Sequence, residues 1–133
     1  MKKPLIVLCA ALLFATFAAC TDSTELASGN TVINITWTDA PETYEHACYL
    51  AVAKGTYSFG SASVPPSSAI VYNKSISSSI TKRYLNLTDD GAYSAFVYYD
   101  KDDNGSLGSS DLQVGFAAFT STSGAAVSLT APY

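Results

Sequence analysis

The segment Asp100 to Asp111, DKDDNGSLGSSD, puts oxygen-bearing side chains at loop positions 1 (Asp100), 3 (Asp102), 5 (Asn104) and 12 (Asp111). Gly105 stands at position 6 and the apolar Leu107 at position 8. This is the D-x-[DN]-x-[DN]-G spacing of a calcium loop closed by a carboxylate. A hard dication of that size takes about 6–8 oxygens at roughly 2.3–2.6 Å. Alternate residues of a tightly curled loop aim short side chains at one centre, and the glycine permits the sharp turn. The residue after it, Ser106, offers a backbone carbonyl. The candidate ligands are therefore Asp100, Asp102, Asn104, Ser106 and Asp111. Asp103 is expected to face solvent, and Gly108, at position 9, contributes only through a bridging water. Asp111 is shorter than the usual glutamate, so the expected affinity is that of an extracellular module, about 10⁻⁴–10⁻³ M.

Asp, Asn, Gly and Ser are also ordinary turn residues, and a solvated hairpin loop has the same composition. Two features favour the metal. Four carboxylates crowd into this loop with Lys101 as the only base between them, and converging carboxylates repel unless a cation or protons neutralise them. A mere turn has no need of the acid at position 12.

The elements that must hold this loop read as strands. Ile33, Ile35 and Trp37 share one face of a strand over 31–37, with Val32, Asn34 and Thr36 on the other. Cys48, Leu50 and Val52 mark a second strand, ended by Lys54-Gly55. Residues 56–68, with Gly60, Pro65, Pro66 and several serines, form a long connection. Short strands follow over 69–76 and 80–87, the latter with Leu85 and Leu87 on one face. Asp89-Asp90-Gly91 is a turn. Residues 92–99 are rich in aromatic and β-branched types; Tyr98 and Tyr99 alternate onto opposite faces, which places one of them at the surface. Beyond the acidic loop, Leu112, Val114, Phe116 and Ala118 mark another strand face, and Val127, Leu129 and Ala131 the last. No segment keeps a helical period. Seven short strands separated by turns predict an all-β fold, a single antiparallel β-sandwich over residues 31–133.

The N-terminus carries the second clear signal. Lys2 and Lys3 precede an apolar run from Leu5 to Phe17, then Ala18, Ala19 and Cys20. This predicts a secretory signal peptide over residues 1–19, since the run is shorter than the about 20 residues of a spanning helix. Phe17-Ala18-Ala19-Cys20 resembles the bacterial lipobox, with Phe17 where an aliphatic residue is usual. The resemblance implies that Cys20 is lipidated and becomes the mature N-terminus, holding the protein on a membrane by burial of its acyl chains. Thr21 stands where enterobacterial lipoproteins retained at the inner membrane commonly carry Asp, which points to an outer-membrane address. Residues 20–30 then form a polar tether ending in Gly29-Asn30.

Two further resemblances concern the fold. Asp89-Asp90-Gly91-Ala92-Tyr93-Ser94-Ala95 resembles the D-x-G-x-Y-x-C tyrosine corner of immunoglobulin-like sandwiches, with Ala95 in place of the cysteine. The stretch from Gly91-Ala92-Tyr93 to Asp100-Lys101-Asp102-Asp103-Asn104-Gly105 is similar to bacterial exported domains of unknown function with transthyretin-like or prealbumin-like sandwiches. That resemblance implies a seven-stranded sandwich with a cation loop between its last strands, and no established activity. The loop also resembles the dockerin calcium segment, which likewise closes with Asp. Dockerin and EF-hand loops lead into helices, whereas here strand-like sequence flanks the loop on both sides.

Composition excludes several functions. Removing residues 1–19 takes Lys2 and Lys3 away and leaves five basic against eleven acidic side chains. Such a chain lacks the basic footprint that nucleic acid requires. Cys48 is the sole cysteine after Cys20, so the mature chain forms no internal disulfide, and it reads as a small buried hydrophobe. His46 is the only histidine; beside Glu42 and Glu45 it recruits no nucleophile, and neither G-x-S-x-G nor H-E-x-x-H is present. The reading is a non-catalytic, lipid-anchored envelope domain with a structural calcium loop. The alternative is a carbohydrate- or protein-binding accessory module, which calls for a row of exposed aromatic side chains on one sheet face.

Overall fold

The computed structural model describes residues 29–39, 44–60, 63–87, 90–122 and 124–132. The signal peptide, Cys20, the tether up to residue 28, and Glu42 lie outside these residues, as does Asp89 of the tyrosine-corner motif. Seven strands follow in chain order: β1 (Thr31–Thr38), β2 (Cys48–Lys54), β3 (Ile70–Ile76), β4 (Lys82–Leu85), β5 (Gly91–Tyr99), β6 (Leu112–Ser121) and β7 (Ala125–Pro132). A single 3-10 turn, Ser67–Ala69, stands just ahead of β3.

The strands form two sheets, ordered β4-β1-β7 and β3-β2-β5-β6. All pairs but one are antiparallel. β1 and β7 run parallel, from Thr31 opposite Ala125 to Thr38 opposite Pro132, which departs from the purely antiparallel expectation. No hairpin joins these two strands. The chain between them builds the whole of the second sheet, so no short connection dictates their relative direction.

Alternation along the strands puts Ile33, Ile35, Leu85, Val127 and Leu129 of the first sheet into one buried cluster with Leu50, Val52, Tyr93 and Val97 of the second. The second sheet is also buried on its far side. Ala51, Ala53, Phe96 and Tyr98 are fully buried there beneath Tyr57, Ala69, Ile70 and Leu107. The segment after β2 is fastened across this face by Ser94, whose hydroxyl donates to Gly55 O (3.0 Å) and accepts the Tyr57 N–H (3.0 Å). Gln113 exchanges a second pair of hydrogen bonds with Gly60, at 2.8 and 3.3 Å. This covering corrects the expectation for Tyr98 and Tyr99. They do face opposite sides, but both are buried, because each face of β5 is covered.

The predicted face of β6 also changes. Val97 pairs with Gly115 while Tyr98 pairs with Gln113, so Val114 is an extra residue and β6 bulges. After the bulge the alternation reverses: Ala117 and Phe119 point into the shared cluster, whereas Phe116 joins the far-side one. Ala118 is exposed. Period-2 reading fails at a bulge because the inserted residue moves every later side chain to the other face. Gly115 marks the spot, since a Cβ there would lie 3.0 Å from Thr130 O and 3.2 Å from Val97 Cβ.

Gly29 and Asn30, which the sequence assigns to the tether, are packed against the first sheet. Asn30 accepts the Leu87 N–H through Oδ1 (2.9 Å) and donates Nδ2 to Leu87 O (2.6 Å), while its own carbonyl accepts the Gly124 N–H (2.9 Å). A methyl group on Gly29 would run into the backbone of Leu85. Gly29→Ala should therefore destabilise the fold by about 2 kcal/mol, the cost of overpacking against rigid backbone. A urea midpoint equal to wild type, at unchanged slope, would contradict this packing.

Candidate metal centre

β5 ends at Tyr99 and β6 begins at Leu112, directly opposite it. The loop between them is thus held at both ends by the sheet, and the Asp100 N–H extends the ladder by donating to Ala47 O (3.0 Å). Asp100 and Asp111, the two residues closest to the ladder, are only 2 % and 6 % exposed. Each stands just outside the Tyr99–Leu112 pair, where a strand leaves or enters the sheet.

Each of these carboxylates organises the loop backbone. Asp100 accepts the Asn104 N–H through Oδ1 (3.2 Å) and the Gly105 N–H through Oδ2 (2.6 Å). Asp111 accepts the Lys101 N–H through Oδ1 (3.0 Å) and the Gly108 N–H through Oδ2 (2.6 Å). Asp102 is exposed, and its Oδ2 accepts the Ser110 hydroxyl (2.8 Å). Oxygens of Asp100, Asp102 and Asp111 lie within 4.8 Å of one another. A carboxylate offers about four lone-pair positions, so two amide donors leave each of the buried acids with capacity for a cation.

The other sequence-predicted ligands, Asn104 and Ser106, lie in the same loop. Asn104 Oδ1 accepts the Ser106 N–H at 2.7 Å, which uses one of its two lone pairs. A carbon placed on Gly108 would lie 3.5 Å from Asp111 Oδ2 and 3.9 Å from Ser106 O, so both oxygens border the same space. The turn is made by Asp103 and Gly105, both left-handed, with φ 55° and 71°. Aspartate is one of the few side chains that visit this region readily. Asp103 points away to His46, whose Nδ1 is 3.6 Å from its carboxylate.

Sequence reasoning missed the support beneath the loop. Tyr98 donates its hydroxyl to Asn73 Oδ1 (3.0 Å), and Asn73 Nδ2 donates to Gly105 O (2.8 Å). The loop is thereby tied through β3 to the centre of the sheet. An Asn in the middle of a strand is a poor β-former, and that is the signal in the sequence that it has a polar task. Ser110, which orients Asp102, carries no such mark.

Electrostatics separates the three acids. Burial raises the Asp111 pKa above the ordinary carboxylate value; the Gly108 and Lys101 amides oppose that rise, and the charges of Asp102 and Asp100 add to it. The Ser110 hydroxyl leads the causes that lower the Asp102 pKa. Elsewhere, burial pushes the Cys48 thiol up to about 12 against its hydrogen bond with Tyr99, which makes it a poor nucleophile at neutral pH. Burial likewise raises Tyr98, and carries Tyr99 to about 12 with the help of Cys48.

Among the described aromatic side chains only Phe59, 55 % exposed, stands out from the surface; every described tyrosine is buried or half-buried. The aromatic row that a glycan-stacking face requires is not present among the described residues. Comparison of the chain with known protein families, curated proteins and solved structures finds no match.

The sign of the Asp111 shift sets a pH dependence. A carboxyl raised in the folded state binds protons more tightly there than in the unfolded chain, so its ionisation costs stability above the raised pKa. In chelator, lowering the pH through the window between the raised folded value and the ordinary one should recover that stability, against the general loss from other acids. Asp111→Asn should remove the recovered part and steepen the net fall in melting temperature. An identical pH profile for the variant would refute the assignment.

Proposed function

We propose that this chain is a lipid-anchored protein of the bacterial envelope, at the outer membrane. Its two sheets form a sandwich of immunoglobulin-like or prealbumin-like type, and the loop from Asp100 to Asp111 holds calcium in a structural, non-catalytic role. The observation that carries the metal reading is the convergence of three carboxylates within 4.8 Å, two of them buried and already fixed by backbone amides. All the donors are hard oxygens, the set that suits Ca²⁺ rather than zinc or copper. Preformed amide contacts hold Asp100 and Asp111 in place before an ion arrives, so little ordering remains to be done on binding.

Calcium here would cancel the repulsion that Asp100 and Asp102 impose on Asp111. It would also clamp the end of β5 to the start of β6. Asp100, Asp102 and Asp111 would supply carboxylates, Asn104 its side-chain oxygen and Ser106 its carbonyl. The sandwich reading is supported by the single apolar cluster to which both sheets contribute. The anchor reading is supported by Phe17-Ala18-Ala19-Cys20 after the apolar run.

At calcium ten times above its Kd, binding to the folded state alone adds about 1.4 kcal/mol, which for a domain of this size raises the melting temperature by several degrees. Millimolar calcium should give that rise. Asp102→Asn, an exposed change that leaves the buried acids intact, should reduce it, and Asp100→Ala should abolish it. No rise in the wild-type protein over chelator would sink the calcium reading. The anchor is tested separately: Cys20→Ser should move the protein from the membrane to the soluble fraction of cells, and an unaltered distribution would exclude lipidation at that residue.

A further inference from the structure

The strand registers place the N-terminal attachment and the acidic loop at opposite poles of the domain. At one end, Thr31 lies opposite Leu85 and Ala125, its hydroxyl is 3.5 Å from that of Ser121, and Ser121 pairs with Gly91. At the other end lie Thr38 with Pro132, Cys48 with Tyr99, and Tyr99 with Leu112. Gly29 and Asn30 are fastened at the first pole, and the loop over 100–111 crowns the second. β5, whose 9 residues run from pole to pole, spans about 30 Å at roughly 3.3 Å per residue.

We infer that, on the membrane, the acidic loop faces away from the bilayer. The inference rests on the proposal that Cys20 carries lipid. Nine peptide steps separate Cys20 from Gly29, and their fully extended reach is about 30 Å. Bringing the loop to the lipid surface would therefore require the tether to double back along the whole length of the domain, with no slack. Charge acts in the same direction. The far pole carries Asp39, Glu45, Asp100, Asp102, Asp103 and Asp111, with Lys101 the only base inside the loop. With one Ca²⁺ bound in the loop, these six acids still outweigh the three positive charges of the ion and Lys101, and anionic lipid repels such a surface within about a Debye length. Among the described residues, the pole bearing Gly29 adds only Asp90 and Lys54. The surface offered to the space beyond the membrane is thus the acidic one, and the hydrogen bonds of half-buried Asn30 to Leu87 fix the pole at which the chain enters the domain.

The test uses the lipidated protein in phosphatidylcholine vesicles containing phosphatidylglycerol and an acceptor dye on the lipid headgroup. A donor dye is attached at Ser109→Cys or at Thr122→Cys, both exposed positions at opposite poles, in a Cys48→Ala background. Energy transfer from position 122 should exceed that from position 109 at least about threefold, given the ~30 Å between the poles. Equal transfer from the two positions, or stronger transfer from 109, would overturn the orientation while leaving the anchor in place. Failure of the wild-type protein to sediment with the vesicles would overturn the anchor and the orientation together.

Discussion

Burial of β5 on both faces is the constraint on which the rest depends. One face joins the apolar cluster shared with the three-stranded sheet, and the other holds Phe96 and Tyr98 against Tyr57, Ile70 and Leu107. A two-layer β protein usually leaves the outer face of each sheet to water. Here the long segment after β2 is drawn over that face and fastened by Ser94 and Gln113. A buried polar side chain must find partners, and both of these find them in the backbone of the covering segment.

Burial also shapes the acidic loop. Asp100 and Asp111, which flank the Tyr99–Leu112 pair where β5 ends and β6 begins, are buried although Leu112 itself is exposed. A buried carboxylate is costly unless charge-assisted hydrogen bonds reach it. Four backbone N–H groups of the loop do so, and Asp102 is brought in by Ser110. The loop is thus folded around its own acids, and the pKa of Asp111 is raised first by its burial, with the charges of Asp102 and Asp100 adding to the rise. Asn73 and Tyr98 carry this arrangement into the sheet, so that the position of Gly105 depends on side chains far away in sequence.

Much of this was legible from the residues alone. The inward faces of β1, β2 and β7 follow from strict alternation of Ile33 and Ile35, of Leu50 and Val52, and of Val127 and Leu129, because side chains on a strand alternate sides. The turn at Gly105 and the convergence of Asp100, Asp102 and Asp111 follow from spacing, since short side chains at alternate positions of a tight loop have few directions to take. These are local matters, decided by neighbours within a few residues.

What only the tertiary structure decided is long-range. The direction of the β1–β7 pair, the bulge at Val114 that reverses β6, and the cover over Tyr98 each depend on segments distant in the chain, and period-2 patterning carries no information about them. Gly29 and Asn30 read as tether because polarity and glycine signal a linker; only the approach of Leu85 and Leu87 shows that they belong to the fold. The acids of the loop were written in the sequence, but which of them would be buried was settled by the fold.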